Sequence, residues 1–470
     1  MAERSARGAL LITAWAGFVA AGWLVWTLAL ERPLRVWWHR ASPREKTVLF
    51  VVMDTVRADR LSLCGHDRPT SPTLERLREQ GAAVSCRAIA PGSWTYPSHA
   101  SYFTGAFPWE HGAHFVPAGE EIRKLVIRPL EPRFETLAEH FAAQGHQTVG
   151  LSGNPVLQPA SGLTQGFESW GAAQQFGGWY GDRLVRQLER ALQEDVDPEG
   201  GPLFLFVNIA DAHDPWDGVP AGLDWVEPQD ELLVYFETDD EGRILEDGPW
   251  HRYVRGELEE AEAGALRRRV TDLYDHALFE ADATLGRVLE AVEASGWADA
   301  GLRLVVVSDH GEFLGEHGLL RHGRYLWEGN NRVFLLVHDT EGPVSELPEP
   351  VSAMEAHTLV RDGVRPAELP VLAAAWPDRT WLEESGGAVG GSTSVALWTA
   401  EDKVTWQDGA WTRRWPARDP AELQAEPVGE DDPVIGVLGP VVSRVQASAD
   451  RALETDPALI EALRSAGYVE

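Results

Sequence analysis

The sequence predicts an α/β protein with a mostly parallel central sheet flanked by helices, followed by a small C-terminal α+β subdomain. Three observations carry that expectation. Continuous apolar runs of strand length recur along the chain, helical patterns fall between several of them, and the alternation fades beyond about residue 341. Uninterrupted apolar runs mark strands buried on both faces, and strands that alternate with helices imply parallel pairing.

The first run is TVLFVVMD, residues 47–54, ending on Asp54. Comparable runs lie at 146–154 (HQTVGLSGN), 202–211 (PLFLFVNIAD), 302–310 (LRLVVVSDH) and 332–339 (RVFLLVHD). Helical periodicity occupies 71–81, 133–145 and 270–296. Residues 215–258 are rich in Asp, Glu, Gly and Pro and read as an insertion or long loop. Residues 394–415 alternate as short antiparallel strands, with turns at Glu401-Asp402 and Asp408-Gly409, and 456–470 close on a short helix. No internal repeat is present.

With 470 residues and 44% hydrophobic content, the chain can bury a sizeable core. Its 73 acidic against 41 basic residues give a net charge of -32, which repels phosphate polymers and disfavours nucleic-acid partners. Cys64 and Cys86 have neither the count nor the spacing of a zinc site or a disulfide framework, so two buried thiols are expected rather than a bridge.

Residues 8–30 carry no charge, and at ~1.5 Å per helical residue they match a ~30 Å hydrocarbon core, which predicts a membrane anchor rather than a cleaved signal peptide. Arg4 and Arg7 precede this span, whereas Arg32, Arg35, Arg40, Arg44 and Lys46 follow it. Counted alone, these charges keep the following domain in the cytoplasm. The expected division is a tail at 1–7, the span at 8–30, a basic linker at 31–46, the main α/β domain at 47–340 and the C-terminal subdomain at 341–470.

Several runs end in polar residues, and sites in open α/β sheets form at the carboxyl ends of strands. Asp54, Thr95, Asp309 and His310 would supply two carboxylates, a hydroxyl and an imidazole, a set suited to a divalent cation such as Zn²⁺, Mn²⁺ or Mg²⁺. Thr95 opens the stretch TYPSHASYFTG, which reads as a helix start with Pro97 in the first turn. Free N–H groups there would face an anion beside the threonine.

Four stretches, VVMDTVRADRLSLCG, WTYPSHASYFTGAFPWEHGA, VVVSDHGEFLGEHGLLRHGRYLWE and RVFLLV, resemble successive motifs of the sulfatase family, within the alkaline phosphatase superfamily. GNPVLQPASGLTQGFESW and the tail segments WTRRWPARDPAELQAEP and LRSAGYVE are similar to it as well. The resemblance implies metal ligation by Asp54, Asp309 and His310, with Thr95 as nucleophile and a further metal contact. It places His213 near the transferred group, His322 where many members have a lysine that contacts the ester, and His99 where the family motif has an arginine. It also implies a divalent metal cofactor (Zn, Mn, Mg or Ca), an ester substrate that is a small molecule or linked to lipid or glycan, and an exported domain.

The chain departs from that pattern at three positions. The family's cysteine or serine becomes formylglycine, a conversion closed to Thr95. Thr55 stands where a second aspartate is usual, and His310 stands where calcium-type members place asparagine. A direct threonine nucleophile favours phosphate mono- or diesters, hydrolysed or transferred through a phosphothreonine. The alternatives are a sulfuric ester hydrolase working without formylglycine and an inactive fold that serves as a binding protein. Histidine at 322 predicts a falling activity limb as pH rises near neutrality.

Overall fold

The computed structural model describes residues 46–449 apart from 119–120, 215, 217–247, 324, 343, 366–368, 377–392, 408 and 417. The expected membrane span at 8–30, most of the basic linker, most of the 215–258 excursion and the closing helix at 456–470 lie outside the described residues. Among the described residues, no helix is long and apolar enough to cross a membrane.

Eight strands form the central sheet: β1 (Thr47–Met53), β2 (Ala83–Ile89), β3 (Gln147–Ser152), β4 (Ser169–Ala172), β5 (Leu203–Ile209), β6 (Leu302–Ser308), β7 (Arg332–Asp339) and β8 (Val351–Ser352). Their order is β8-β2-β7-β6-β1-β5-β3-β4. From β6 through β4 every pairing is parallel. β7 instead runs antiparallel to both its neighbours, β6 and β2. All five apolar runs are strands of this sheet, so the mostly parallel reading holds with β7 as its reversed member. The short edge strand β8 and the partly polar β2 and β4 carry too little apolar signal to be found by pattern alone.

Helices cover both faces. On one side Leu49, Val51 and Met53 of β1 meet α1 (Pro72–Glu79), α4 (Asp182–Glu194) and α5 (Glu260–Ala294). On the other, Val48, Phe50 and Val52 meet α2 (Thr95–Thr104), α3 (Leu137–Ala143) and α6 (Glu355–Asp362). This alternation is why β1 reads as unbroken apolar sequence: each face of the strand has its own core. Each buried Val, Leu, Phe or Met contributes about 1.5–3 kcal/mol, and β1 places six such residues in the two cores.

The helix bounds differ from the expected ones for local reasons. α3 begins only at Leu137, because Thr136 accepts from the Glu139 N–H while the Glu139 side chain caps Thr136 in return. α5 starts ten residues before 270, at Glu260, where acidic residues in its first turn suit the helix dipole.

The C-terminal hairpins form as expected. β9 (Leu372–Ala375), β10 (Ser394–Trp398), β11 (Lys403–Gln407), β12 (Ala410–Arg414) and β13 (Glu426–Pro427) make an antiparallel sheet in sequence order. It is followed by α7 (Pro433–Ala449). Residues 351–362, grouped with this subdomain on sequence, instead add β8 and α6 to the central layer. The two parts meet where Trp398 packs with Ile89 and Leu326. There the Trp398 indole donates to Glu328 Oε1 (2.6 Å), and buried Lys403 pairs with buried Glu422.

One expectation is corrected outright. Cys64 and Cys86 are joined in a disulfide, and both are only half-buried. Count and spacing could not reveal that the turn after Asp54 folds back beside β2.

Candidate active site

β6, β1, β5 and β3 are consecutive in the sheet, and their carboxyl ends lie level: Met53 is in register with both Ile209 and Ser308, and Ser152 with Asn208. The residues that follow therefore converge. Asp54 leaves β1, Asp309 and His310 leave β6, His213 lies beyond β5, and Asn154 follows β3. Thr95 is the first residue of α2, which starts from the extended Trp94.

Asp54, Thr95, His99, Asp309 and His310 are all fully buried. Thr95 Oγ1 lies 3.2 Å from His310 Nε2 and accepts from Asn154 Nδ2 at 3.3 Å. His310 Nδ1 lies 2.9 Å from Gly311 O. That bond places the ring proton on Nδ1 and leaves the Nε2 lone pair facing Thr95 and the two carboxylates. His310 Nε2 is 3.7 Å from Asp54 Oδ1 and 3.6 Å from Asp309 Oδ2.

The outer oxygens of both carboxylates are held. Asp54 Oδ2 accepts from Asn154 Nδ2 (2.8 Å) and Asn208 Nδ2 (3.3 Å), and Asp309 Oδ1 accepts from the Thr55 and His310 N–H groups (3.1 and 3.0 Å). Their inner oxygens, Asp54 Oδ1 and Asp309 Oδ2, are buried without hydrogen-bond partners. With His310 they offer ligand atoms within 4.8 Å of one another. Two bare carboxylate oxygens and an imidazole lone pair directed at one point fit a divalent cation. Burial and the nearby Asp309 push Asp54 up to about 6, and burial pushes Asp309 up to about 7.

Two asparagines in this shell, Asn154 and Asn208, escaped the sequence reading. The available signal was a polar residue at the end of each buried apolar run. Thr55 is the other surprise: it is β-branched yet sits at φ 58°, a strained left-handed conformation. Its hydroxyl donates back to Asp54 O (2.7 Å) while its N–H reaches Asp309. In place of a second carboxylate, residue 55 thus supplies a backbone donor.

The three histidines separate. His99 Nδ1 donates to Thr95 O (2.9 Å) and lies 3.5 Å from Asp309 Oδ2. Its Nε2 has no partner, and its ring stands edge-on to Phe103 and Phe206. Burial holds it down to about 3, so it is a neutral group wedged beneath Thr95. His213 and His322 meet at 5.1 Å between ring centroids, and His322 lies 4.3 Å from His310. Burial lowers His213 and holds His322 well below its ordinary value. Asp214, Glu312 and Arg321, unmarked in the sequence, surround this pair: Arg321 donates to Asp214 Oδ2 (2.8 Å), and His322 Nδ1 lies 3.2 Å from Glu312 Oε2.

A doubly covered α/β sheet with an oxygen-rich donor set at its central strand ends is the architecture of the alkaline phosphatase superfamily. Within it, the chain belongs to the sulfatase family, whose model, Sulfatase, matches residues 46–359. It is thus a hydrolase of a metal-dependent ester-cleaving family. Among solved structures it is similar to the phosphonate monoester hydrolase of Agrobacterium radiobacter, at 17% identity and a TM-score of 0.56, over 88% of this chain and 97% of that one. A putative sulfatase from Bacteroides thetaiotaomicron matches at 13% identity and a TM-score of 0.55, over 88% and 96%. A protein in the alkaline phosphatase superfamily from Vibrio parahaemolyticus matches at 13% and 0.50, over 87% of each chain. No curated relative matches the chain at significant similarity.

Proposed function

We propose that the protein hydrolyses phosphate mono- or diesters through a covalent Thr95 intermediate. The observation that carries this reading is the setting of Thr95 Oγ1, a plain hydroxyl held between His310 Nε2 and Asn154 Nδ2 beside two unpartnered carboxylate oxygens. A threonine cannot become the aldehyde that sulfatases use, but it is a competent nucleophile toward phosphorus once deprotonated.

Asp54, Asp309 and His310 would hold a divalent cation, which would supply Lewis acidity to lower the pKa of a neighbouring hydroxyl and offset charge on phosphoryl oxygens. The chain's own residues do the rest. Asn154 orients the Thr95 oxygen, and the N–H groups of the first turn of α2 face the phosphoryl oxygens. The Thr95 hydroxyl loses its proton to solvent and Oγ1 forms the new bond to phosphorus as the bond to the ester oxygen breaks, the departing oxygen leaving with that electron pair and taking up a proton from solvent. Water then displaces Thr95 from phosphorus, or a second alcohol does so if the enzyme transfers the group. His213 and His322 border the same space and contact the ester.

The domain is proposed to lie on the exported side of a membrane, anchored through 8–30. The Cys64–Cys86 bridge supports that side, since such bonds persist in oxidising compartments. The sequence charges flanking the span argue the other way, and the bridge outweighs them here.

The deciding experiment compares wild type with Thr95→Ala and Thr95→Ser on aryl phosphate, bis-aryl phosphate and aryl sulfate, with defined divalent metals. Thr95→Ala should lose on the order of 10³-fold or more in kcat, with Thr95→Ser retaining part of it. Turnover of the sulfate ahead of both phosphates would replace this reading with a sulfuric ester hydrolase. Absence of metal binding and of Thr95-dependent turnover would leave a binding protein.

A further inference from the structure

We propose that a cavity between the loop after β5 and the helix α5 binds a small organic ammonium group. Tyr180, Asp211, Trp216, His276 and Glu280 line it, and its volume is about 340 Å³. That falls within the roughly 300–1,000 Å³ usual for small-molecule sites. Asp211 follows β5, whereas His276 and Glu280 stand one turn apart on α5. None of Asp54, Thr95, Asp309 or His310 lines the cavity, so it is distinct from the site described above. It adjoins that site across the loop carrying His213, whose backbone O accepts from the Tyr180 hydroxyl (3.3 Å).

The lining asks for positive charge. Asp211 Oδ1 accepts from the Gly181 N–H (2.8 Å) and the Thr284 hydroxyl (2.7 Å), but its Oδ2 is buried without a partner on a residue only 8% exposed. With Oδ1 engaged twice, Oδ2 is the oxygen left to meet a ligand. A buried carboxylate oxygen that lacks a donor is unfavourable unless a cation compensates it. Burial pushes Asp211 up to about 6, and the charge of Glu280 acts in the same direction. A bound cation opposes both effects. His276 is neutral, since burial lowers it, and its Nδ1 also has no partner. The basic residue of the lining, Arg183, turns Nη1 away to Gly177 O at the exposed rim (3.3 Å).

The aromatic walls decide which cation. The Tyr180 hydroxyl is held by His213 O, and the Trp216 indole donates to Ala212 O (2.9 Å), so both offer the cavity ring carbons rather than hydrogen bonds. Aromatic rings beside carboxylates recognise alkylammonium groups, whose diffuse charge is attracted to π faces. A metal ion fits less well, because Asp211, His276 and Glu280 do not bring ligand atoms within 4.8 Å of one another. A neutral ligand would leave the Asp211 charge uncompensated, and an anion would meet two carboxylates. The ammonium group can belong to a separate small molecule or to the alcohol portion of an ester. The inference goes beyond the phosphoryl reading and does not depend on it.

The test titrates choline into the full chain by calorimetry at constant ionic strength, beside dimethylbutanol, its uncharged carbon isostere. Wild type should bind choline and bind the isostere at least about tenfold more weakly. Asp211→Asn keeps the Oδ1 acceptor for Gly181 and Thr284 but removes the charge, and should weaken choline about tenfold, with Glu280→Gln weakening it by a smaller factor. Absence of choline binding in wild type overturns the proposal, as does equal binding of the isostere or unchanged affinity in both variants. Near-ultraviolet circular dichroism checks folding, and if Asp211→Asn misfolds, Glu280→Gln and the isostere decide. Turnover separates the two sources of the group. If it belongs to the substrate, Asp211→Asn raises KM for an aryl phosphocholine ester and not for a plain aryl phosphate; if it is a separate ligand, neither KM responds. The two readings also fail separately. Thr95-dependent turnover without choline binding sinks only this cavity's role, and choline binding without such turnover sinks only the phosphoryl reading.

Discussion

From one amide nitrogen, Asn154 donates to both Thr95 Oγ1 and Asp54 Oδ2, so in the proposed mechanism it fixes the nucleophile relative to a metal-site carboxylate. Asn154→Ala is expected to lower activity about 10- to 100-fold, the usual cost of losing a hydrogen-bonded support of a metal ligand. Its melting temperature should stay within a few degrees of wild type; a large fall in stability with kcat intact would mark Asn154 as merely structural. His99, one turn further along α2, acts differently. It is the counterpart of an arginine by resemblance, but here its ring donates to Thr95 O and stands edge-on to Phe103 and Phe206. Asp54, Thr95, Asp309 and His310, which the sequence singled out as candidates through their places in recurring motifs, do converge in the structure. Asn154, Asn208 and Asp214 could not be singled out in that way, since a lone polar residue after a strand is ordinarily a turn or cap residue. Only the level strand ends give them a shared purpose.

Between residue and fold, the loop that leaves β6 is held by the closest backbone approach near the site. The Gly311 N–H donates to Asn330 O (2.6 Å), and a Cβ on Gly311 would lie 2.2 Å from Gly329 O. Because that neighbour is backbone, it cannot swing aside. Gly311→Ala should therefore cost about 2–3 kcal/mol in a urea titration and displace His310. A second tie joins the turn after β1 to α5: buried Asp275 pairs with Arg60, Arg68 and His66. Burial alone would raise the Asp275 pKa, but the hydrogen bond to His66 and the charge of Arg60 hold it below the ordinary value. A depressed folded pKa means stabilisation that is present above about pH 4 and lost as the pH falls below it. Asp275→Asn is expected to cost about 3 kcal/mol at pH 7, with the gap to wild type narrowing as the pH falls below about 4 in paired denaturation curves. Elements with strong periodicity, such as β1, β5, β6 and the hairpins at 394–415, were readable because burial imposes the pattern directly. The direction of β7 was not: a strand buried on both faces looks the same whichever way it runs.

At the scale of the whole molecule, the anchor assigned to 8–30 makes a separable prediction. The full chain should sediment with membranes and resist high-salt washing, whereas the chain from Pro43 onward should stay in the supernatant; equal solubility of both would remove the anchor. The net charge of -32 favours solubility. What length and composition could not supply was how distant segments are joined, and the disulfide is the plainest case. Asp54 lies before Cys64 and Thr95 lies after Cys86, so the bridge closes a covalent ring that contains α1 and stands between the two halves of the site. A protease that nicks the chain inside this ring leaves Asp54 and Thr95 on one molecule, and the cut goes unseen on a gel until a reductant separates the fragments.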